Sequence, residues 1–395
     1  MKINLERAAF YLTCGSAVSI LFSIAVSQIL MALSLAVLLI SGMPLRFPPV
    51  KLPLALFMGG TIVSWLASGH IREGTPQIRK FFVFAILLLV ASTFRSVAEC
   101  RTLVLLWSAV ASFSALRSLF QFLQVYRRSA ELHQNFYDFY VGSRITGFMS
   151  HWMTLGGEEM IVLLMLVAYL FFALERKWTL LGWACAALLG VSLVLSLDRS
   201  IFLLGVPAGC LYLLWFWRRW TLALVPVLAL AAFFLAPSFI RERAVSIFQP
   251  HGETDSNRHR TVTFRTGIEM IEEHPLLGLG PEQVKAQFQE YVPEDIPRPL
   301  PEGWYGHLHN IYLQYAAERG IPTALFLFWM IGKILYDFGR GVRAKPEVRF
   351  ILHGAIAVVL AILAEGFFEY NLGDSEVLTM FLAVTGMGYV AAERV

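Results

Sequence analysis

The chain has 395 residues, of which 57% are hydrophobic and only 15% are charged. Soluble domains carry roughly 25% charged residues, so this composition, with a mean hydropathy of +0.62, excludes an ordinary soluble globular protein. The net charge of +4 arises from Lys and Arg in short loops between apolar segments, so no nucleic-acid partner is expected.

Apolar runs long enough to cross a bilayer recur along the whole chain. The first run, Ala8 to Ile40, is too long for one helix or for a signal-peptide core, so it is split near Ser23. The pattern predicts an all-α polytopic membrane protein with about twelve transmembrane helices, at 8–22, 24–41, 52–68, 80–95, 102–122, 156–174, 178–197, 200–216, 220–237, 313–335, 351–367 and 376–392.

The short loops on the side of the N-terminus are rich in cationic residues, which stay in the cytoplasm. These residues are Lys2, Arg7, Arg46, Lys51, Arg95, Arg101, Arg176, Lys177, Arg218, Arg219, Arg340, Arg343, Lys345 and Arg349. Both termini are therefore predicted to be cytoplasmic, and two longer segments, 123–155 and 238–312, to face outward.

The four cysteines lie in spans or at a cytoplasmic end, so no disulfide is expected.

These boundaries predict three parts. Residues 1–237 carry spans 1–9 and a shorter outer loop, residues 238–312 form an outer subdomain, and residues 313–395 carry spans 10–12. Within the subdomain, helical periodicity from about Thr261 to Glu273 predicts one amphipathic helix whose buried stripe is Ile268, Met270 and Ile271. Pro275 ends that helix, and a tight turn follows at 276–281.

His309 and Asn310 stand where the polar outer segment gives way to an apolar helix. Histidine gains or loses a proton near neutral pH without special tuning, so this position at a membrane surface indicates proton transfer. The alternative is structural, with Asn310 capping the following helix and His307 lying at the interface.

Several arginines accompany this histidine. Arg199 lies in a very short outer turn, where a cation is costly unless it pairs, for example with Asp198, or binds an anion. Arg260 and Arg265 lie at the amphipathic helix. Guanidinium groups donate paired hydrogen bonds to phosphate at any relevant pH, so the cluster predicts a phosphate-containing ligand.

Other polar residues near the outer face have two interpretations each. Arg117 lies in the outer half of a span, where, like Arg199, it either pairs with a neighbour or binds an anion. His151 and Arg144 either line an acceptor path or anchor the loop at headgroup level. The acidic residues Glu158, Glu159, Glu365 and Glu369 lie near outer ends of spans, where they could orient the histidine or pair with arginines. Their spacing assigns none of these roles.

No metal ion or other cofactor is expected. His307 and His309 are two residues apart. They could share a metal if the backbone were extended, but on a helix their side chains point in different directions. Arginines can supply the positive charge that a metal would otherwise bring to a phosphate.

The order of these motifs resembles the O-antigen ligase and polymerase superfamily of bacterial envelope glycosyltransferases. The resemblance covers about 140–335. It is carried by Gly147-Phe-Met-Ser-His151-Trp-Met-Thr154, Asp198-Arg199-Ser200, Arg260-x-x-x-Phe264-Arg265, Met270-Ile-Glu-Glu-His274-Pro275-Leu-Leu-Gly278-Leu-Gly280-Pro281, His307-Leu-His309-Asn310-x-Tyr312-Leu-Gln314 and Glu318-Arg-Gly320-Ile321. The family usually has tryptophan where this chain has Phe264.

The resemblance implies a GT-C-like enzyme of the bacterial inner membrane with a periplasmic active site. It implies transfer of a glycan from undecaprenyl diphosphate to a sugar hydroxyl. The residues themselves favour one direct displacement without a metal, which would invert the anomeric carbon. His309 would be the base, and Arg199 with Arg260 or Arg265 would hold the diphosphate. In the ligase branch, which is favoured, the acceptor is the lipid A-core of lipopolysaccharide; in the polymerase branch it is another carrier-linked repeat.

Two other classes fit a twelve-span chain, namely a transporter or flippase and a non-catalytic assembly partner. Transporters usually have repeated halves and interrupted helices around a site at the middle of the membrane. Here the two halves differ, and the polar clusters lie at the outer face, so the enzyme is favoured.

Overall fold

The computed structural model describes residues 2–174, 179–252, 257–343 and 346–393, and the side chains from residue 5 onward within them. Every regular element in these ranges is helical. The predicted all-α polytopic fold is confirmed. Arg176, Lys177 and Lys345, on which the orientation argument partly depends, lie outside the described residues, as does the side chain of Lys2.

The helices follow one another through short connections. Their bounds are α1 Lys2–Ser19, α2 Ile24–Ser41, α3 Lys51–Ala67, α4 Ile71–Arg79, α5 Ala85–Thr93, α6 Val97–Glu131, α7 Phe136–Gly142, α8 Trp152–Phe172, α9 Thr179–Leu195, α10 Val206–Trp217, α11 Val225–Leu235, α12 Ser238–Val245, α13 Asn257–Glu273, α14 Gln283–Gln287, α15 Ile311–Gly341, α16 Arg349–Glu365 and α17 Ser375–Ala392. A 3₁₀ segment joins α4 to α5, and a π-helical segment, Ile201–Gly205, precedes α10.

Within the described ranges, seven helical segments are long and apolar enough to cross a membrane: 24–41, 71–93, 97–131, 152–172, 311–341, 346–365 and 375–392. Four shorter apolar helical segments lie at 51–67, 179–195, 201–217 and 219–235. The chain is thus a multi-pass membrane protein, and the number of twelve spans stays a prediction. The break that we placed near Ser23 is confirmed, because Ser23 caps α2 by accepting the backbone N–H of Val26 at 3.4 Å.

Helices α8, α16 and α17 form the centre of the bundle, where almost every side chain is buried. Small residues let these helices approach closely, as where Gly354 of α16 faces Met165 and Ala168 of α8. Helix α11 has no buried residue, so its entire apolar surface is left for lipid. The residues that follow α11, from 238 to 310, are called the polar segment below.

The segment from α12 to α14 has its own small apolar core. Val262 and Met270 of α13 pack there with Leu279, Phe288 and Leu308. The predicted amphipathic helix is confirmed and begins at Asn257, one turn earlier than expected. Met270 is buried as predicted, whereas Ile268 and Ile271 are half-buried. The predicted division into three domains stays a prediction.

Helix α15 is broken near its first third, at Gly320-Ile-Pro322. Pro322 has no N–H, so the carbonyl of Glu318 loses its usual partner within the helix. Gly320 has φ 78, which turns the N–H of Ile321 away from the helix axis, and this N–H instead donates to the carbonyl of Pro275 at 2.8 Å. The break therefore exposes carbonyl groups that need donors from elsewhere.

The predicted turn after α13 supplies these donors. The N–H of Leu279 donates to the carbonyl of Ala317 at 2.8 Å, and the N–H of Gly280 donates to the carbonyl of Glu318 at 2.9 Å. The hydroxyl of Ser64, from α3, donates to the Glu318 carbonyl as well. The turn is therefore fastened to the helix break by backbone hydrogen bonds, and this fixes where α13 lies relative to the start of α15.

We predict that Gly320→Ala destabilises the protein strongly, because the added Cβ would overlap the carbonyl of Leu276 and because a left-handed backbone costs a non-glycine residue about 1–3 kcal/mol. Thermal unfolding in detergent measures this change. Gly332→Ala, in the same helix with no atom within 4 Å of the new Cβ, should leave the melting temperature unchanged or slightly raised. Equal melting of the two variants would contradict this account of the break.

Candidate functional site

The backbone at His309 is held by the start of α15 and by the connection between α16 and α17. Asn310 is the N-cap of α15, where its side-chain oxygen accepts the N–H of Leu313 at 2.9 Å. Its side-chain nitrogen donates to the carbonyl of Phe367 at 3.0 Å, and the N–H of Ile311 donates to the carbonyl of Gly366 at 2.8 Å. The expected cap is therefore present, and it also ties the helix start to the core.

His309 itself lies just before the cap, in a left-handed conformation with φ 49. Its ring is largely buried and faces two oxygen atoms. Nδ1 is 3.6 Å from Oε1 of Glu369, and Nε2 is 3.3 Å from the carbonyl oxygen of Trp304. The structure thus places a carboxylate beside the candidate base.

Two further histidines surround this ring. The ring of His307 is 4.0 Å and that of His259, from α13, is 5.2 Å from the ring of His309, centroid to centroid. Burial lowers the pKa of His307 to about 3, with a further contribution from His309. The same two causes, in the same order, lower the pKa of His259 to about 4. Both flanking rings are therefore neutral near pH 7.

The pKa of Glu369 is also lowered, and for a carboxyl group a lower pKa favours the charged form. Burial raises this pKa, but His309, His307 and Arg260 outweigh burial and hold the pKa at about 2. The carboxylate is consequently ionised at any physiological pH. Sequence spacing could not assign this partner, because Glu369 lies on the α16–α17 connection and meets His309 only through the tertiary fold.

His307, His309 and Glu369 present possible metal ligands within 4.8 Å of one another. The expectation that the two histidines point apart on a helix is wrong, because both precede α15. However, Nδ1 of His307 accepts the backbone N–H of His309 at 3.1 Å, so the neutral ring carries its proton on Nε2, the nitrogen that faces Glu369. A protonated nitrogen cannot coordinate a metal, so the geometry favours hydrogen bonding. A reaction without metal stays a prediction.

The three predicted arginines have different surroundings. Arg199 is buried at the start of the π-helical segment and donates to the hydroxyl of Ser246 and the amide oxygen of Asn257 at 2.9 and 2.8 Å. Arg260 is half-buried on α13. Arg265 points elsewhere and forms a two-pronged ion pair with Asp295 at 2.7 and 2.8 Å. The structure thus brings Arg199 and Arg260, and not Arg265, to the surroundings of His309.

Two cavities meet at His309. The first, which we call the polar cavity, has a volume of about 740 Å³ and is lined by residues that include Arg144, His151, Glu282, Glu369 and Asp374. The second, which we call the apolar cavity, has a volume of about 610 Å³ and is lined by residues that include Arg199, Leu203, Leu204, Phe264, Phe367 and Phe368. His309 and Arg260 line both cavities.

Arg144 and His151 line the polar cavity rather than only anchoring a loop. The guanidinium of Arg144 lies 4.2 Å from the ring centroid of Trp152 and donates to the carbonyl of Val141. Burial, then Arg243, lowers the pKa of Arg144 to about 9, and Arg260 and Arg199 act in the same direction. Arginines that repel one another in this way would be stabilised by a bound anion.

Arg117 has a structural contact. It donates to the carbonyl of Gly147 at 2.7 Å, and its guanidinium lies 5.0 Å from the ring centroid of Phe148. Gln121, one turn further along α6, accepts the N–H groups of Thr146 and Gly147. Arg117 thus braces the turn that leads to His151 and is not among the residues that line the two cavities.

A family comparison covers the part of the chain that carries this geometry. Residues 184–328 match the O-antigen ligase family model. The match begins inside α9, ends inside α15 and includes Arg199, Arg260 and His309. The predicted resemblance to the O-antigen ligase and polymerase superfamily is confirmed, and the match supports an O-antigen ligase-type function in general terms. No curated protein matches the chain.

Three parts of this candidate site are absent from the sequence predictions. His259 and the carbonyl of Trp304 both contact the His309 ring, and buried Arg243 adds a cation that acts on Arg144. His259 stands directly before Arg260 on an amphipathic helix, so its burial could have been read from the helical period. The Trp304 carbonyl leaves no trace in the sequence, because any residue type offers one.

We predict that Asn310→Ala lowers the free energy of unfolding by about 2 kcal/mol, because it removes both an N-cap and a buried hydrogen bond to the α16–α17 connection. Thermal or denaturant unfolding in detergent measures the loss. Asn135→Ala is the matched control, since Asn135 caps the short helix α7 through one hydrogen bond to Asp138. A loss at Asn310 no larger than that at Asn135 would show that the second bond contributes nothing.

Proposed function

We propose that this protein is an O-antigen ligase that transfers a glycan from undecaprenyl diphosphate to a sugar hydroxyl of lipid A-core, on the periplasmic face of the bacterial inner membrane. The single observation that carries this proposal is the position of His309 and Arg260, which line a polar and an apolar cavity at once. Such a junction suits a reaction between a lipid-linked donor and a hydrophilic acceptor.

The apolar cavity suits the donor. Leu203, Leu204, Phe264 and Phe368 offer a surface for an isoprenoid chain, and Arg199 lies at the same wall. Arg199 and Arg260 would hold the diphosphate and stabilise the charge that grows on it as the bond to the sugar breaks. Their fixed charges replace the metal ion that many diphosphate reactions use.

The polar cavity suits the acceptor, because its carboxylates and cationic groups can bond to sugar hydroxyls. In the reaction, the acceptor oxygen forms a bond to the anomeric carbon while its proton passes to His309. The bond between that carbon and the diphosphate oxygen breaks at the same time, and the diphosphate keeps the electron pair. One such displacement inverts the anomeric centre.

The decisive experiment incubates purified protein with a carrier-linked glycan and either lipid A-core or a second carrier-linked glycan, and then measures the mass of the products. A gain of mass by lipid A-core supports the ligase. A gain by the carrier-linked glycan alone would replace it with the polymerase, which uses the same donor chemistry. Movement of carrier across a vesicle membrane without transfer would replace both with a flippase.

We predict that His309→Ala lowers the rate of transfer by about 10²- to 10⁴-fold, since it removes the general base. His274→Ala is the matched control, because His274 is an exposed histidine of the same polar segment, bonded to the hydroxyl of Tyr291. Its activity should equal that of the natural protein. Full transfer by the His309 variant would remove this residue from the mechanism.

We predict that Arg260→Ala raises the KM for the carrier-linked donor by about 10- to 100-fold, the loss expected when a charged hydrogen bond to phosphate disappears. Arg265→Ala should leave that KM unchanged, because Arg265 is paired with Asp295 and does not line the apolar cavity. Steady-state kinetics with varied donor measures both. The reverse pattern would assign the diphosphate to Arg265.

A further inference from the structure

The carboxylate of Glu369 is buried within the site, with the residue 5% exposed. One of its oxygens, Oε1, accepts the backbone N–H of Tyr370 at 3.0 Å. The other, Oε2, is a buried atom without a hydrogen-bond partner in the described part of the chain, and so is Nδ1 of His309. The carboxylate of Glu369 and the ring of His309 therefore each carry one buried polar atom without a partner among the described residues.

Leaving a buried donor or acceptor unsatisfied costs about 1–3 kcal/mol. The gap between Nδ1 of His309 and Oε1 of Glu369 is 3.6 Å, a few tenths of an ångström longer than a hydrogen bond. Catalytic hydrogen bonds are often this long before substrate binds and shorten in the reactive complex. A small movement of either side chain would satisfy the ring nitrogen.

The opposite nitrogen of the ring, Nε2, has a contact that can be exchanged. It faces the carbonyl oxygen of Trp304 at 3.3 Å, and the same oxygen is bonded to Nε2 of His259 at 3.0 Å. A carbonyl oxygen only accepts, so both rings donate to it: His259 from its Nε2, and His309 from its Nε2 while no substrate is bound. The Trp304 carbonyl thus keeps its shorter bond if His309 turns to another partner, such as a hydroxyl in the polar cavity.

We propose that Glu369 is a positioning residue: when a reacting hydroxyl replaces the Trp304 carbonyl at Nε2, Glu369 holds the His309 ring with its proton on Nδ1 and so presents the lone pair of Nε2 to that hydroxyl. This inference rests on the proposed function, in which His309 is the base. When Nε2 takes the hydroxyl proton, the ring becomes an imidazolium whose Nδ1–H still donates to the carboxylate. Glu369 stays ionised throughout and stabilises the charge that forms on the ring.

The neighbours of Glu369 are consistent with this role. Arg260, whose charge lowers the pKa of Glu369 and so favours its carboxylate, lines the polar cavity together with it, and neutral His307 presents its Nε2–H towards Oε1 of Glu369, with the two atoms 3.9 Å apart. His307 in turn is oriented by the backbone N–H of His309. Within these contacts, Nδ1 of His309 faces the carboxylate, and Nε2 is the ring nitrogen that can turn from the Trp304 carbonyl to substrate.

The test compares Glu369→Gln, which keeps the shape and removes the charge, with Glu369→Asp, which keeps the charge on a shorter side chain. For Glu369→Gln we expect kcat to fall by at least about 10²-fold while the KM values for donor and acceptor change little. Glu369→Asp should recover part of that kcat. Glu302→Gln, an exposed acid of the same polar segment, is the matched control and should retain the natural kcat.

The possible outcomes separate this inference from the proposed function. Natural protein that transfers glycan, together with a Glu369→Gln variant of undiminished kcat, would overturn the inference and leave the proposed function standing. A variant with raised KM for both substrates and a lowered melting temperature would make Glu369 a structural residue and overturn the inference as well. No transfer by the natural protein would instead refute the proposed function itself.

Discussion

The break in α15 is the constraint on which the site depends. A proline and a left-handed glycine remove two carbonyl groups from the helix ladder, and the turn after α13 pairs with them through its own backbone N–H groups. The same helix begins at Ile311, directly after His309 and its cap Asn310, so one element carries the fastening point of the polar segment and lies next to the candidate base. The distance between α13 and His309 therefore follows from backbone hydrogen bonds rather than from side-chain packing alone.

Opposite charges meet around His309. Arg199 and Arg260 line the apolar cavity with it, whereas the carboxylate of Glu369 lines the polar cavity, which Arg260 also lines. Burial makes each of these charges act strongly on its neighbours, because little water is present to screen them. In the proposed reaction, the cations stabilise the negative charge on the departing diphosphate, and the carboxylate stabilises the positive charge on the protonated ring.

The sequence predicts the features that local chemistry determines. The apolar runs, the helix that starts at Ser23, the cap at Asn310 and the amphipathic helix all follow from patterns within a few residues. What the sequence could not supply were contacts between distant segments. The sequence does not distinguish Arg260 from Arg265, because tertiary packing is what brings Arg265 to Asp295. The contact of Glu369 with His309 likewise joins residues from different loops.

A single imidazole that lines two chambers also limits the order of events. In the proposed mechanism this ring never bonds covalently to the sugar, so donor and acceptor must occupy the apolar and polar cavities at the same time before the glycan is transferred. Initial-rate plots with both reactants varied would then intersect, as for a ternary complex, rather than run parallel. His309 also lines the polar cavity, so water can reach this base whenever no acceptor occupies that cavity. The rate at which water hydrolyses the donor then depends on how often the polar cavity is without an acceptor.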